Sequence, residues 1–321
     1  LIGSLGLFVA SVLVLWASSE LIIHNIGPLA RMFGVKELVI TILGVSVLSS
    51  LPELTVSAFA IARGASEISV GNVIGSNFVT LTFVTAVCAF LRPIDIHREV
   101  QERESSWMIL SSSIVLLMSL DGRLSRSDGL ILIGVYIPYV VSVLRKAREG
   151  VDRTDAAAHR TLRKVIAATL LTMVGIGGVI ISSKFALDSG MSLGTAVGIS
   201  AAAMGVIFFA FGTSLPELAI SLSATFRRKG DVTIGEVYAS NIFTQLVVLG
   251  ICCLISPIAV PASMTQFAMP FLVLAAVVIQ IFVTSDLKVD RIEAVGLLLF
   301  YAIFAASQFI ALPNPEQLLG F

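Results

Sequence analysis

Charge is scarce in this chain. Of 321 residues, 21 are Lys or Arg and 21 are Asp or Glu, 13% together, where a soluble domain carries about 25%. Net charge is zero. That excludes a basic nucleic-acid binder and a charged disordered chain. Cysteine is scarce too. Cys88, Cys252 and Cys253 all lie in apolar runs with no zinc or redox spacing, and read as small buried thiols. The three histidines, His24, His97 and His159, share no ligand spacing. No Ser/His/Asp or Cys/His arrangement and no phosphate loop is present. No polar region is long enough for an ATP-hydrolysing domain. The sequence therefore predicts neither an enzyme nor a resident cofactor.

What is abundant is apolar surface. Hydrophobic residues make up 56% and mean hydropathy is +0.98. A bilayer-spanning helix needs about 20 apolar residues. Ten apolar segments are legible, near 3–23, 37–62, 69–91, 105–120, 127–144, 165–186, 193–226, 233–255, 265–284 and 292–311. Their length and lack of alternation predict helices. The first has no basic flank before it and reads as a span, not a cleaved signal. The expected fold is an all-α polytopic membrane protein of ten transmembrane helices.

The one long polar stretch, 145–164, holds seven basic residues from Arg145 to Lys164. It divides the chain into a first five-helix unit, 1–144, and a second, 165–321. The halves repeat each other. Ser50-Leu51-Pro52-Glu53-Leu54 recurs 164 positions later as Ser214-Leu215-Pro216-Glu217-Leu218. Gly71-Asn72-Val73-Ile74-Gly75-Ser76-Asn77 recurs in the same register as Gly235-Glu236-Val237-Tyr238-Ala239-Ser240-Asn241. Pro93-Ile94 and Ser18-Ser19 match Pro257-Ile258 and Ser182-Ser183, and Asp128–Tyr136 parallels Glu293–Tyr301 one residue out of register. Five is odd, so the copies are expected to enter the membrane from opposite sides, as in many secondary transporters. Seventeen of the 21 basic residues fall in the loops after helices 1, 3, 5, 7 and 9. The excess of basic residues on one side places 145–164 in the cytoplasm and both termini outside, with the plasma (inner) membrane of a prokaryote as the expected location.

Glu53 and Glu217 are the sharpest chemical signal. Each follows a proline inside a long apolar segment. A charge at a helix centre costs about 2.5–3.5 kcal/mol on insertion scales and usually marks an ion or substrate path. The plainer reading is a protonated or paired glutamate tying helices together. Its duplication favours two carboxylates facing each other near the midplane, a hard oxygen site for cations. Ser49, Ser50, Thr213 and Ser214 precede the prolines and offer hydroxyls, unless these bond back to their own helices. The carbonyls of Ser46 and Ala210, one turn upstream, are expected to lose their helical donors to the prolines and become free acceptors. Asn72, Ser76 and Thr80 share one helix face, repeated by Glu236, Ser240 and Thr244. The small residues Gly71, Gly75, Gly235 and Ala239 suit close helix packing. Asn77 and Asn241 suit interhelix hydrogen bonds. Glu236 breaks the symmetry. It reads either as a third carboxylate at the site, binding a second cation or carrying a proton, or as a wetted residue near the cytoplasmic entrance. Glu20 and Lys184 read as interfacial side chains.

On Gly212-Thr213-Ser214-Leu215-Pro216-Glu217 and Gly71-Asn72-Val73-Ile74-Gly75-Ser76-Asn77, the chain resembles the cation/calcium antiporter superfamily, most closely its Na⁺/Ca²⁺ exchanger branch. The resemblance implies ten helices as two inverted repeats. Helices 2, 3, 7 and 8 would build the cation site and helices 1 and 6 would slide past them. It also implies Glu53 and Glu217 as central ligands, with Ser49, Ser50, Thr213, Ser214, Ser76 and Ser240 around them. The sequence departs from the pattern at Leu48 and Ser49, where the family has Gly-Thr. It departs again at Thr80 and Thr244, where Asn or Asp is common, and at Glu236, which replaces Asn. The expected activity is Ca²⁺ exchange, with Na⁺ the leading counter-ion. H⁺ exchange through Glu236 and a passive cation channel are the alternatives. Expected partners are Ca²⁺, Na⁺ or H⁺ and the lipid bilayer; no nucleic acid or protein partner is implied.

Overall fold

A computed structural model of the chain describes residues 2–32, 44–96, 98–148 and 162–308. The described residues are almost entirely helical. In chain order the helices are α1 (Ile2–Met32), α2 in two pieces (Ser46–Ser49 and Leu51–Ala62), α3 (Ser66–Leu91), α4 (Arg98–Met118) and α5 (Arg126–Arg148). The second half contains α6 (Leu162–Val197), α7 in two pieces (Ala201–Thr213 and Leu215–Phe226), α8 (Gly230–Ile255), α9 (Met264–Ser285) and α10 (Arg291–Ser307). By length and composition, α1, α3, α5, α6, α8 and α9 can each cross a membrane, and the bent α7 makes a seventh. Residues 37–43 of the expected second segment and 149–161 of the expected linker lie outside the described residues.

Several helices outrun their apolar stretches. α5 continues to Arg148, because Arg, Lys and Ala are good helix formers outside the hydrocarbon. α4 begins at Arg98, well before the expected 105. The break between α6 and α7 lies at 198–200, not between 186 and 193. Local chemistry sets it there. Gly198 takes φ +74°, and the Ile199 N–H closes on the Gly194 carbonyl at 2.9 Å. Ser200 then caps α7 by accepting the Ala203 N–H at 3.2 Å. Glycine stops and a hydroxyl restarts the helix, neither of which a hydropathy run records.

Local features of the two halves recur at offsets of 164 or 165 residues. Ser50 and Ser214, at the breaks of α2 and α7, have φ/ψ of −84°/8° and −81°/5°. Each break is followed by a proline in the first turn of the next piece, where a missing N–H is tolerated. α3 and α8 each contain a wide turn, Val79–Val84 and Thr244–Val248. α5 and α10 open on matching side-chain caps, Ser125 with Asp128 and Asp290 with Glu293. The two-residue strands pair reciprocally and antiparallel. Ile94–Asp95 lies on Lys288–Val289, and Arg123–Leu124 on Ile258–Ala259.

α3 and α8 form the centre, with 83% and 78% of their apolar windows buried, against 22–39% for α1, α5, α6 and α9. α3 packs on the first piece of α7, α8 on the first piece of α2, α4 on α9, and α1 along α6. The α3–α7 contact is backbone on backbone. A Cβ at Gly205 would sit 2.7 Å from the Ile68 carbonyl oxygen and 3.0 Å from the Gly71 Cα.

Candidate functional site

The breaks in α2 and α7 meet α3 and α8 in the middle of this core. Glu53 and Glu217 stand in the first turns of Leu51–Ala62 and Leu215–Phe226, where the helix dipole favours negative charge. Each is 1% exposed. Each faces the other half's serine: Ser214 Oγ donates to Glu53 Oε1 and Ser50 Oγ to Glu217 Oε1, both at 3.5 Å. These are weak contacts. Ser50 also has the Ser46 carbonyl at 2.8 Å, and its single proton favours the shorter bond. The Oε2 atoms of Glu53 and Glu217 are buried without any hydrogen-bond partner.

Glu236 is buried, not wetted. It is 0% exposed and accepts Ser46 Oγ at 2.6 Å on Oε2 and Ser49 Oγ at 2.9 Å on Oε1. Glu236 and Glu53 both lie close enough to Glu217 to repel its charge when they are ionised. The equivalent contact in the other half joins Thr213 Oγ1 to Asn72 Oδ1 at 3.3 Å. Asn72 also donates to Ser57 Oγ at 3.0 Å and to the Glu53 carbonyl at 3.4 Å. An ionised carboxylate has no N–H to give. Accordingly Ser221, the counterpart of Ser57, has a buried Oγ without a partner.

Ser76 and Ser240 are 3% and 2% exposed and bond back to Val73 and Val237 carbonyls at 3.1 and 3.2 Å. Their oxygens keep lone pairs for another acceptor role. Thr80 and Thr244 are buried and clamped across the two halves. Thr80 Oγ1 donates to Asn241 Oδ1 at 2.9 Å, and Asn77 Nδ2 donates to Thr244 Oγ1 at 2.8 Å. Gln245 Nε2 adds a bond to Asn77 Oδ1 at 2.9 Å. The expected interhelix role of Asn77 and Asn241 is thus observed, and it engages both threonines.

The carbonyls of Ser46 and Ala210 are not freed by the prolines. Ser46 O accepts the Ser50 N–H at 3.2 Å, and Ala210 O accepts the Ser214 N–H at 3.1 Å. The reason is register. A proline withholds its N–H from the residue four before it, which is Leu48 or Gly212. Sequence reading misses Gln245 as a member of the network. It misses Glu104 as well, which is 0% exposed and accepts the Tyr139 hydroxyl at 2.7 Å; its place beside α4's charged start hides it.

Three buried carboxylates, the hydroxyls of Ser46, Ser49, Ser50, Thr213 and Ser214 and the break carbonyls make an oxygen-rich cradle. An ionised carboxylate taken from water costs several kcal/mol unless a counter-charge joins it. The cradle therefore suits hard cations, which take oxygen ligands. Among the described residues, no three His, Cys, Asp or Glu side chains form a cluster able to hold a metal ion by themselves. Hydroxyl and carbonyl oxygens would have to complete any coordination shell. The family model described as sodium/calcium exchanger protein matches residues 3–145 and 167–310. The chain belongs to this family. It is similar to the inner membrane protein YrbG of Escherichia coli K12, 30% identical with 78% of this chain and 80% of that one covered. It is also similar to the sodium/calcium exchanger MaX1 of Methanosarcina acetivorans, 25% identical with 89% and 93% covered. Among solved structures, the sodium-calcium exchanger NCX_Mj matches with a TM-score of 0.72 and 27% identity, over 97% of this chain and 100% of that one. The family is one of membrane transporters, and the chain is an integral membrane protein.

Proposed function

We propose that this family member exchanges Ca²⁺ for Na⁺ across a prokaryotic plasma membrane, by alternating access to a site built on Glu53 and Glu217. The observation that carries the reading is the pair of buried, unpartnered Oε2 atoms at two helix breaks of matching geometry. Two carboxylates balance one Ca²⁺, and Na⁺ balances the same charge when Ca²⁺ leaves. Ser49, Ser50, Ser76, Thr213, Ser214 and Ser240 supply neutral oxygens. The Ser46 and Ala210 carbonyls join the shell when the hydroxyl protons of Ser50 and Thr213, which lie on them at 2.8 and 3.3 Å, turn away. Glu236, with Ser46 and Ser49, forms a flanking seat for a further monovalent cation. Thr80 and Thr244 act by fixing Asn241 and Asn77, which brace α3 against α8.

In this reading the chain crosses the membrane ten times, as inverted repeats 1–144 and 165–321. The linker 145–164 is cytoplasmic and both termini are outside. α1 and α6 supply the motion. They touch through small groups, since a Cβ at Gly175 would lie 2.9 Å from the Ser18 carbonyl oxygen and one at Gly178 would strike Ser18 Oγ. Most of their surface is open to lipid, with 28% of each apolar window buried. Anchors to α2 include the Thr55–Ser183 bond at 2.6 Å and the Arg63–Asp188 ion pair.

The test is ⁴⁵Ca²⁺ uptake into proteoliposomes under separate outward gradients of Na⁺, K⁺ and H⁺. Uptake should follow the Na⁺ gradient and stop when it is collapsed. Uptake that follows the H⁺ gradient without Na⁺ would replace Na⁺ as counter-ion. Uptake indifferent to all three would point to a passive channel.

A further inference from the structure

At one end of the helix core, the turn after α3 faces the turn between α7 and α8 across a cavity of about 130 Å³. Arg92, Asp95, Thr225, Arg228 and Gly230 line it. The two turns touch through backbone, since a Cβ at Gly230 would strike the Asp95 carbonyl oxygen. The internal repeat supplies a comparison within the molecule. At the 164-residue offset, Arg92 corresponds to Ser256, Asp95 to Ala259, Arg228 to Gly64 and Gly230 to Ser66. The same construction on the opposite face therefore carries no charge at these positions.

Arg228 is held there against backbone preference. It takes φ +59°, and its counterpart Gly64 takes φ +74°. Both close their helices alike, with Lys229 N–H on the Ala224 carbonyl at 3.0 Å and Ala65 N–H on the Ala60 carbonyl at 2.8 Å. The left-handed region suits glycine and disfavours any side chain. A strained non-glycine at a position the fold otherwise gives to glycine points to a task for its side chain. Arg92 donates to the Phe226 carbonyl at 3.5 Å, which ties its guanidinium to the same turn. Beside the cleft, Phe90, Leu91 and Phe226 are 50%, 48% and 63% exposed, an apolar flank next to paired guanidinium groups.

We propose that this cleft binds the phosphate of an anionic phospholipid, with Arg92 and Arg228 as the phosphate-binding forks and the acyl chains against Phe90, Leu91 and Phe226. Two guanidiniums against one carboxylate leave a net positive pocket, and the planar fork matches phosphate oxygens. The apolar flank selects a lipid phosphate over a free one. The site lies apart from Glu53 and Glu217 and acts as an anchor at the basic-rich face.

The test is thermal unfolding of the detergent-purified protein with added phosphatidylglycerol, phosphatidylcholine or inorganic phosphate. Phosphatidylglycerol should raise the unfolding temperature by about 2–4 °C, and the other two should leave it unchanged. The double variant R92S/R228G installs the residues of the opposite face. It should keep or raise the lipid-free unfolding temperature, since glycine relieves the left-handed strain at 228, and lose the shift. R227S, which removes the same charge from an exposed neighbour, should keep the shift. A double variant that retains the full shift, or an R227S variant that loses it equally, would overturn the cleft assignment. A shift with inorganic phosphate that depends on Arg92 and Arg228 would overturn the lipid source.

Discussion

Replacing Glu53 or Glu217 by glutamine should abolish Na⁺-driven Ca²⁺ transport. Glutamine keeps the shape and one acceptor oxygen but removes the charge and turns an unpartnered oxygen into an N–H donor aimed at a cation. Removing one partner of a buried charge pair costs about 3–5 kcal/mol, so Ca²⁺ affinity should fall by about 10²–10⁴-fold. Folding should survive. The Ser214 contact to Glu53 and the Ser50 contact to Glu217 are long, at 3.5 Å, and burying a neutral amide costs less than burying an ion. ⁴⁵Ca²⁺ flux and the unfolding temperature, measured on the same preparations, separate the effects. Loss of flux with unfolding unchanged or raised is expected. Parental flux in either variant would remove that glutamate from the site.

Gly75→Ala should damage both folding and transport. A Cβ at Gly75 would overlap the Val206 carbonyl oxygen and sit 2.6 Å from the Val206 Cα and 2.7 Å from the Ala210 Cβ. Backbone cannot rotate away as a side chain can, so α7 must move off α3. Overpacking of this kind costs about 1–3 kcal/mol. It also shifts Thr213 and Ser214 away from Asn72 and Ser76, so transport should fall together with the unfolding temperature. The reverse change in the other half, Ala239→Gly, should cost about 1 kcal/mol or less. A Gly75→Ala variant with parental unfolding temperature and flux would show that the α3–α7 contact is not fixed by Gly75.

The sequence made the symmetric parts of the molecule legible. A proline beside an acid in an apolar run is rare enough that its recurrence marks both breaks, and the same register holds in the backbone at Ser50 and Ser214. Polarity within apolar segments likewise exposed Ser76, Ser240 and the two asparagines. What stayed hidden depends on partners or on exact register. Glu236 reads equally as buried or wetted until Ser46 and Ser49 are seen on its two oxygens. The N–H that a proline lacks would serve the carbonyl four residues before it, at Leu48 and Gly212, so Ser46 and Ala210 lie too far upstream to be released. Helix ends set by Gly198 and Ser200, or carried outward by arginines as in α5, fall where hydropathy has no step. Arg228 looked like one more basic loop residue. Only its φ and its glycine counterpart distinguish it from Arg227.

One site that serves two ions in turn requires that they exclude each other. The direct measurement is isothermal titration of the purified protein with Ca²⁺ at a series of Na⁺ concentrations. Apparent Ca²⁺ affinity should fall progressively as Na⁺ rises, with the number of Ca²⁺ bound unchanged, and no Ca²⁺ binding should remain in E53Q/E217Q. Ca²⁺ binding that is indifferent to Na⁺, or that persists in the double variant, would contradict exchange at the paired glutamates.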